Sequence, residues 1–173
     1  MKKCDVADMM DDPVHIYPYT AILMKPGDVI YSHKTALSSF MVGHAGIVGV
    51  NYRIYHVNRW GSKGHADSMP IYLSRHKKGE KLTILRNDYE EIAEEAAKWA
   101  KQNIEKVKKY TFTRDLADFE LNYCSKYIWQ AYYFGSEGKV DLTERGFDPT
   151  SKKYVTPTQI YNNFDKIGSF VNK

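Results

Sequence analysis

The stretch Leu121-Asn122-Tyr123-Cys124-Ser125-Lys126-Tyr127-Ile128-Trp129-Gln130-Ala131-Tyr132 holds the residue best suited to covalent chemistry. Read as a helix with Asn122 as its N-cap, it puts Cys124, Tyr127, Ile128 and Ala131 on one face and turns Ser125, Lys126, Gln130 and Tyr133 away. Cys124 then stands in the first turn, where free backbone N–H groups and the positive end of the helix dipole favour the thiolate, the nucleophilic form of cysteine. A lone cysteine on an apolar helical face is more often a packed thiol. It becomes a candidate nucleophile only if a base stands beside it, and a histidine pair far upstream supplies one.

That pair lies on a predicted hairpin, His44-Ala45-Gly46-Ile47-Val48 followed by Gly49-Val50-Asn51 and then Tyr52-Arg53-Ile54-Tyr55-His56-Val57-Asn58. Both arms are rich in β-forming residues, and Gly49 and Asn51 tolerate positive φ in the connection. A three-residue loop, Gly49 to Asn51, pairs Val48 with Tyr52, Gly46 with Ile54 and His44 with His56, so that the two imidazoles share a face. A two-residue loop at Asn51-Tyr52 would put them on opposite faces.

The remaining elements must carry these groups. Residues 1–20 read as an irregular lead-in. Lys25-Pro26-Gly27-Asp28 is a turn into a short strand, Val29-Ile30-Tyr31, with Asp28 as a turn residue. Residues 33–43 read as a loop, and 59–80 as a long loop with one strand in Met69-Pro70-Ile71-Tyr72-Leu73. A strand at Lys81 to Arg86 follows, then a helix capped by Asn87 or Asp88, acidic in its early turns and basic over Lys101 to Lys109. Ile92, Ala96, Trp99, Ala100 and Val107 form its buried stripe. Its glutamates fit a solvated helix face better than a site of paired carboxylates, because the dipole already explains where they lie. Tyr110 to Phe119 reads as loop, the Cys124 helix ends near Gly135, and Thr156-Pro157-Thr158-Gln159 opens a last helix, with a capping box, running to about Phe164.

The bulk numbers fit one α+β domain over residues 1–173, large enough to bury a core without staples. Fourteen tyrosines, each a flat apolar body with a polar tip, suit an open, partly wet groove. A net charge of +4, with basic clusters set apart and diluted by acids, argues against nucleic-acid binding. Two cysteines, Cys4 and Cys124, make neither a disulfide framework nor a metal-type spacing. No run approaches the ~20 apolar residues of a membrane helix. The start, MKKCDVADMMDD, has no apolar h-region, so a cytoplasmic location is the default expectation, and export would need a signal removed from this chain.

Four motifs in order, Lys25-Pro26-Gly27-Asp28-Val29-Ile30, Gly43-His44-Ala45-Gly46-Ile47-Val48, Tyr123-Cys124-Ser125-Lys126-Tyr127-Ile128-Trp129-Gln130-Ala131-Tyr132 and Thr156-Pro157-Thr158-Gln159-Ile160-Tyr161, resemble the circularly permuted papain-like cysteine hydrolases. These are relatives of the NlpC-type cell-wall peptidases, and the likeness is to the YiiX-like kind, over about residues 23–165. In the permuted branch the His strand precedes the Cys helix, as position 44 precedes 124 here. The resemblance implies an antiparallel sheet or small barrel packed against helices. It implies Cys124 as nucleophile, His44 as general base and acid, and the residue opposite His44 as the orienting third member. Related sequences often carry Glu or another polar residue at that third position. Here it is His56, with Asn58 on the same face as a substitute.

A thiolate beside an imidazolium attacks an acyl carbonyl to give a thioester, with the backbone N–H of Cys124 as one oxyanion donor and the second unassigned. Tyr123, Asn58 and Tyr31 are the expected substrate-binding residues. The expected substrate is an amide or ester: a small peptide or amino-acid amide, cell-wall material included, ahead of a lipid acyl group. No cofactor or metal is called for. Lecithin retinol acyltransferase-like proteins share the His-before-Cys order, which keeps lipid acyl transfer in view. The other readings are a binding module for a small amine or peptide, and a metal site of His44, His56, Cys124 and His65, whose spacings match no standard zinc pattern.

Overall fold

The computed structural model describes residues 13–33, 43–59 and 63–173. Its centre is a six-stranded sheet in which every neighbouring pair is antiparallel. In chain order the strands are β1 (Val29–Ser32), β2 (His44–Val48), β3 (Ile54–Val57), β4 (Gly64–Asp67), β5 (Lys81–Arg86) and β8 (Asp165–Val171), and across the sheet they run β4-β3-β2-β1-β5-β8. A separate two-stranded parallel ladder joins β6 (Lys109–Tyr110) to β7 (Leu121–Asn122). The helices are α1 (Met69–Ser74), α2 (Glu90–Asn103), α3 (Cys124–Gly135) and α4 (Pro157–Asn162).

The central strands are buried along their whole length because both faces of the sheet are covered. Side chains alternate between faces along a strand. Val29, Tyr31, Ala45, Ile47, Tyr55 and Val57 pack with α2, α3 and α4 into one apolar cluster. Ile30, Val48, Ile54, Leu82 and Ile84 form a second cluster under Tyr72 of α1, Tyr17 and Phe170. The fold is thus α+β, a mostly antiparallel sheet packed against helices, with the Cys helix following the His strand in the chain.

Several expectations are corrected. The β2–β3 register sets Val48 opposite Ile54 and Ile47 opposite Tyr55, so the connection is longer than three residues. The positive φ falls on Tyr52 (59°), not on Gly49 or Asn51. Gly49 is required for another reason: a Cβ there would run into the Tyr55 ring. The slip amounts to two residues, which preserves facing, so His44 and His56 still share a side of the sheet as diagonal neighbours. The long loop of 59–80 holds strand β4, and Met69–Leu73 is a helix, with Pro70 in its first turn where a missing N–H does no harm.

Asp28 is a buried anchor and more than a turn residue. It accepts hydrogen bonds from Tyr17 Oη (2.8 Å) and from Arg86 Nε and Nη2 (both 2.7 Å). The N-cap of α2 is Tyr89, and α2 gives way at Ile104 to a 3₁₀ turn. The C-terminal strand β8 has no counterpart in the sequence reading. Cys4 and most of the predicted 33–43 loop lie outside the described residues.

Candidate active site

Alternation along three neighbouring strands builds a polar line. His44 Nε2 lies 3.1 Å from His56 Nδ1, and His56 Nε2 lies 2.7 Å from Asp67 Oδ2. Arg75, the C-cap residue of α1, donates from Nε to Asp67 Oδ2 (2.7 Å) and from Nη2 to Oδ1 (3.3 Å). His56 pairs directly with His65 and Ile54 with Asp67, so His56 and Asp67 are diagonal neighbours on one face. The relay His44–His56–Asp67–Arg75 crosses β2, β3 and β4 and ends on a helix.

The charge states follow from the surroundings. Burial resists ionisation of Asp67, but hydrogen bonds from His56 and Arg75 outweigh it and hold the carboxyl well below its ordinary range. Burial also keeps His56 below the usual imidazole value, against the pull of Asp67. An ionised carboxylate only accepts, so His56 Nε2 carries the proton and donates. Neutral His56 then offers Nδ1 as an acceptor, and His44 must donate from Nε2. A neutral His44 is left with its basic lone pair on Nδ1. The tautomer of the candidate base is therefore dictated from Asp67, two contacts away.

Aromatic packing fixes the ring of His44. Tyr72 stacks on it at 6.2 Å between centroids and meets His56 edge-on at 4.9 Å. His76 lies 5.8 Å from His44 and is itself paired with Glu80 through Nδ1 (2.8 Å). His65 stacks on His56 at 5.4 Å, and its Nδ1 accepts from Arg75 Nη2 at 3.4 Å. His76 had no role in the sequence reading and His65 entered only the metal-site alternative, and both belong to this cluster.

Cys124 is a buried thiol and the first residue of α3. The N-cap is Tyr123, in extended conformation, not Asn122, and no side chain caps the first turn. Asn122 instead belongs to β7, donates to Gln130 Oε1 (2.7 Å) and accepts from Tyr123 N. The face thought to turn away is also buried: Ser125, Lys126 and Gln130 are fully enclosed. α3 packs against β2 and β3. Burial first, and then the charge of Cys124, raises the pKa of Tyr31 on one side of the sheet and of Tyr72 on the other.

Of the other expected residues, Tyr123 is enclosed with its hydroxyl accepting from Val155 N (3.0 Å), Asn58 is buried just beyond β3, and Tyr31 points to the α3 side. Asp67, Arg75 and Tyr72 were not anticipated. His65 and Asp67 at alternate positions were the available signal, hidden in a stretch whose Gly, Ser and Lys content reads as loop. The relay also bears on metal binding: both ring nitrogens of His56 and both oxygens of Asp67 are spent on one another and on their neighbours. Among the described residues, no three His, Cys, Asp or Glu side chains gather as ligands would.

The family model described as "Lipoprotein N-acylation protein LnsA-like" matches residues 10–165. An uncharacterized 30.3 kDa protein of Bacillus thuringiensis is 24% identical over 139 residues, which is 75% of this chain and 51% of that protein. The chain therefore spans about half the length of that relative. Among solved structures, the metalloprotein YiiX of Escherichia coli O157:H7 aligns with a TM-score of 0.59 at 16% identity, covering 86% of this chain and 97% of that one. At that identity the likeness is one of fold.

Proposed function

The chain belongs to the lipoprotein N-acylation protein LnsA-like family, and from that premise we propose that it is a cysteine-dependent acyl-transferring enzyme of the permuted papain-like type. Cys124 is the nucleophile, His44 the general base and acid, and His56, Asp67 and Arg75 hold His44 in its working tautomer. The thiolate attacks the carbonyl carbon of an acyl ester, and the carbonyl π pair moves onto oxygen beside the Cys124 N–H. Collapse of the intermediate expels the alcohol, which takes its proton from His44, and leaves an S-acyl enzyme. An amine then gives a proton to His44 Nδ1 and attacks the thioester; an amide forms and the thiolate returns. Water in the place of the amine gives hydrolysis.

The observation that supports this most is the hydrogen-bonded relay ending on His44, which fits a base that must shuttle a proton. The family's description names an acyl group moved to nitrogen on a lipoprotein. We therefore put an acyl donor and an amine acceptor ahead of cell-wall peptides, the reverse of the order expected from sequence.

The test uses a p-nitrophenyl acyl ester with and without a peptide bearing a free N-terminal amine. Intact-mass spectrometry is expected to show one hydroxylamine-labile acyl group on the wild type and none on Cys124→Ala, with p-nitrophenol release falling to background. An adduct that survives in Cys124→Ala, or a wild type that never acylates, would remove the reading. The ratio of acyl-peptide to free acid separates a transferase from a hydrolase.

A further inference from the structure

One charged surface takes no part in the chemistry described above. Lys77, Lys78, Lys81 and Lys173 are all exposed, and among the described residues none of the four stands in an ion pair. Asn172 gathers them. Its N–H donates to the carbonyl of Glu80 (2.9 Å), its carbonyl accepts from Gly79 N (2.6 Å), and its Nδ2 donates to the carbonyl of Lys77 (3.2 Å). Lys81 pairs with Val171 across β5 and β8, and Lys173 follows two residues later. Glu80, the one acid within 77–81 and 171–173, turns inward onto His76 Nδ1 (2.8 Å) with its side chain only 12% exposed. What this corner presents to solvent is positive charge.

Apolar side chains stand among these charges. Tyr19 is 65% exposed, Ile71 47% and Val171 43%. Lys173 Nζ lies over the Tyr19 ring, 4.5 Å from its centroid. Val171 is the partner of Lys81, and Ile71 belongs to α1, the helix that Asn172 ties down through the carbonyl of Leu73 (3.1 Å). The strand pairings place the corner relative to the site. Leu82 pairs with Phe170 on one side and Ser32 on the other, and Ser32 pairs with His44. Phe170, the residue before Val171, is therefore three strand spacings from His44, about 14 Å, at the same end of the sheet.

We infer that this corner docks on an anionic phospholipid bilayer. The lysines meet headgroup phosphates, while Tyr19, Ile71 and Val171 enter the interface, where an aromatic ring with a polar tip and aliphatic side chains lose their water. Attachment of this kind adds buried apolar area to attraction for anionic lipid, and the corner supplies both. Nucleic acid would take the lysines but leave Ile71 and Val171 in water. Docking here brings the His44 end of the sheet to the bilayer; the use of that approach, delivery of a lipid acyl donor, rests on the acyl-transfer reading of the site.

The experiment is co-sedimentation with vesicles of equal parts phosphatidylglycerol and phosphatidylcholine, set against pure phosphatidylcholine, with Cys124→Ala as the parent protein so that no lipid is consumed. Binding is expected to the anionic vesicles and should weaken as salt rises. Each lysine near an anionic surface counts for about fivefold in affinity, so the double variant Lys77→Gln, Lys78→Gln should bind about 25-fold more weakly. Ile71→Ser should weaken binding at low and high salt alike. Leu23→Ser removes a similarly exposed side chain, beside Arg86 at the other end of β5, and should change nothing. Equal binding to neutral vesicles, an unchanged affinity in the double variant, or the same loss from Leu23→Ser would overturn the inference. So would retention on duplex DNA or an acidic protein with no affinity for vesicles. Acylation of the wild type by a p-nitrophenyl ester needs no membrane and reads the other question. Vesicle binding without acylation would sink the acyl-transfer reading and leave this surface standing, and acylation without vesicle binding would sink this surface alone.

Discussion

At the scale of single residues, Asp67 acts on His44 through two contacts, because its charge decides which nitrogen of His44 is basic. Replacing it with asparagine keeps the shape but removes the obligate acceptor, since an amide can offer His56 either a lone pair or an N–H. His56 is then free to turn its tautomer around, and His44 with it. Outer partners of this kind typically cost 10–100-fold when removed, so Asp67→Asn should slow ester acylation by about that factor. The same substitution has a signature in stability. The folded carboxyl titrates below its unfolded value of 3.8, so its contribution is present above that value and is lost as the pH falls through the folded one. Thermal melts should therefore show Asp67→Asn less stable than wild type at pH 7, with the gap closing below about pH 4. A gap that stayed constant with pH would mean that Asp67 acts through packing and not through its charge.

At the scale of elements, α3 is held from the side that sequence periodicity assigns to solvent. Lys126 is enclosed and donates to the carbonyls of Asp118 (2.7 Å) and Leu121 (2.8 Å), while Gln130 Nε2 reaches the carbonyl of Leu116 (2.8 Å). These bonds tie the segment before Cys124 to the helix that Cys124 begins, so the start of α3 is stapled without a side-chain cap. Burial lowers the Lys126 pKa to about 8. Lys126→Met takes the Lys126 donor from the Leu121 carbonyl and leaves Asp118 O with Gln130 Nε2 (3.1 Å), and should cost about 1–3 kcal/mol in urea unfolding at pH 7. The pH dependence has a definite sign. Between about 8 and the ordinary lysine value of 10.5 the unfolded chain holds a proton that the folded chain has released, so wild-type stability rises with pH over that window relative to Lys126→Met. A flat difference from pH 8 to 10 would show that the amine titrates normally.

At the scale of the whole molecule, legibility tracked how local each determinant was. The capping box at Thr156 and Gln159 is complete within four residues, and the structure has it as read, with Pro157 at the first helical position. The hairpin's facing was legible because alternation is a period of two, and its register was not, because a left-handed Tyr52 is a choice made by the folded turn. Asp67 and Arg75 join the site only through the pairing of β4 with β3 and the packing of α1, which no window of the chain contains. Strand β8 is the extreme case. Asp165-Lys166-Ile167-Gly168-Ser169-Phe170-Val171 has little pattern of its own, and it is a strand because β5 offers it an edge.

That last strand also reaches the site. Asn172, just past β8, donates from Nδ2 to the carbonyls of Leu73 (3.1 Å), His76 (3.0 Å) and Lys77 (3.2 Å), at the end of α1. α1 carries Tyr72 against His44 and ends at Arg75 on Asp67. The segment after β8 thus holds the helix that packs on His44. Asn172→Ala removes a donor shared by three carbonyls, a loss of about 1–3 kcal/mol, or a fall of roughly 2–10 °C in Tm for a chain of this size. Because α1 then loosens over the relay, ester acylation should fall as well, while a stability change of the same size made at the far edge of α2 should leave acylation unaltered. Equal melting shifts with no difference in acylation would show that the relay stands without its C-terminal tie.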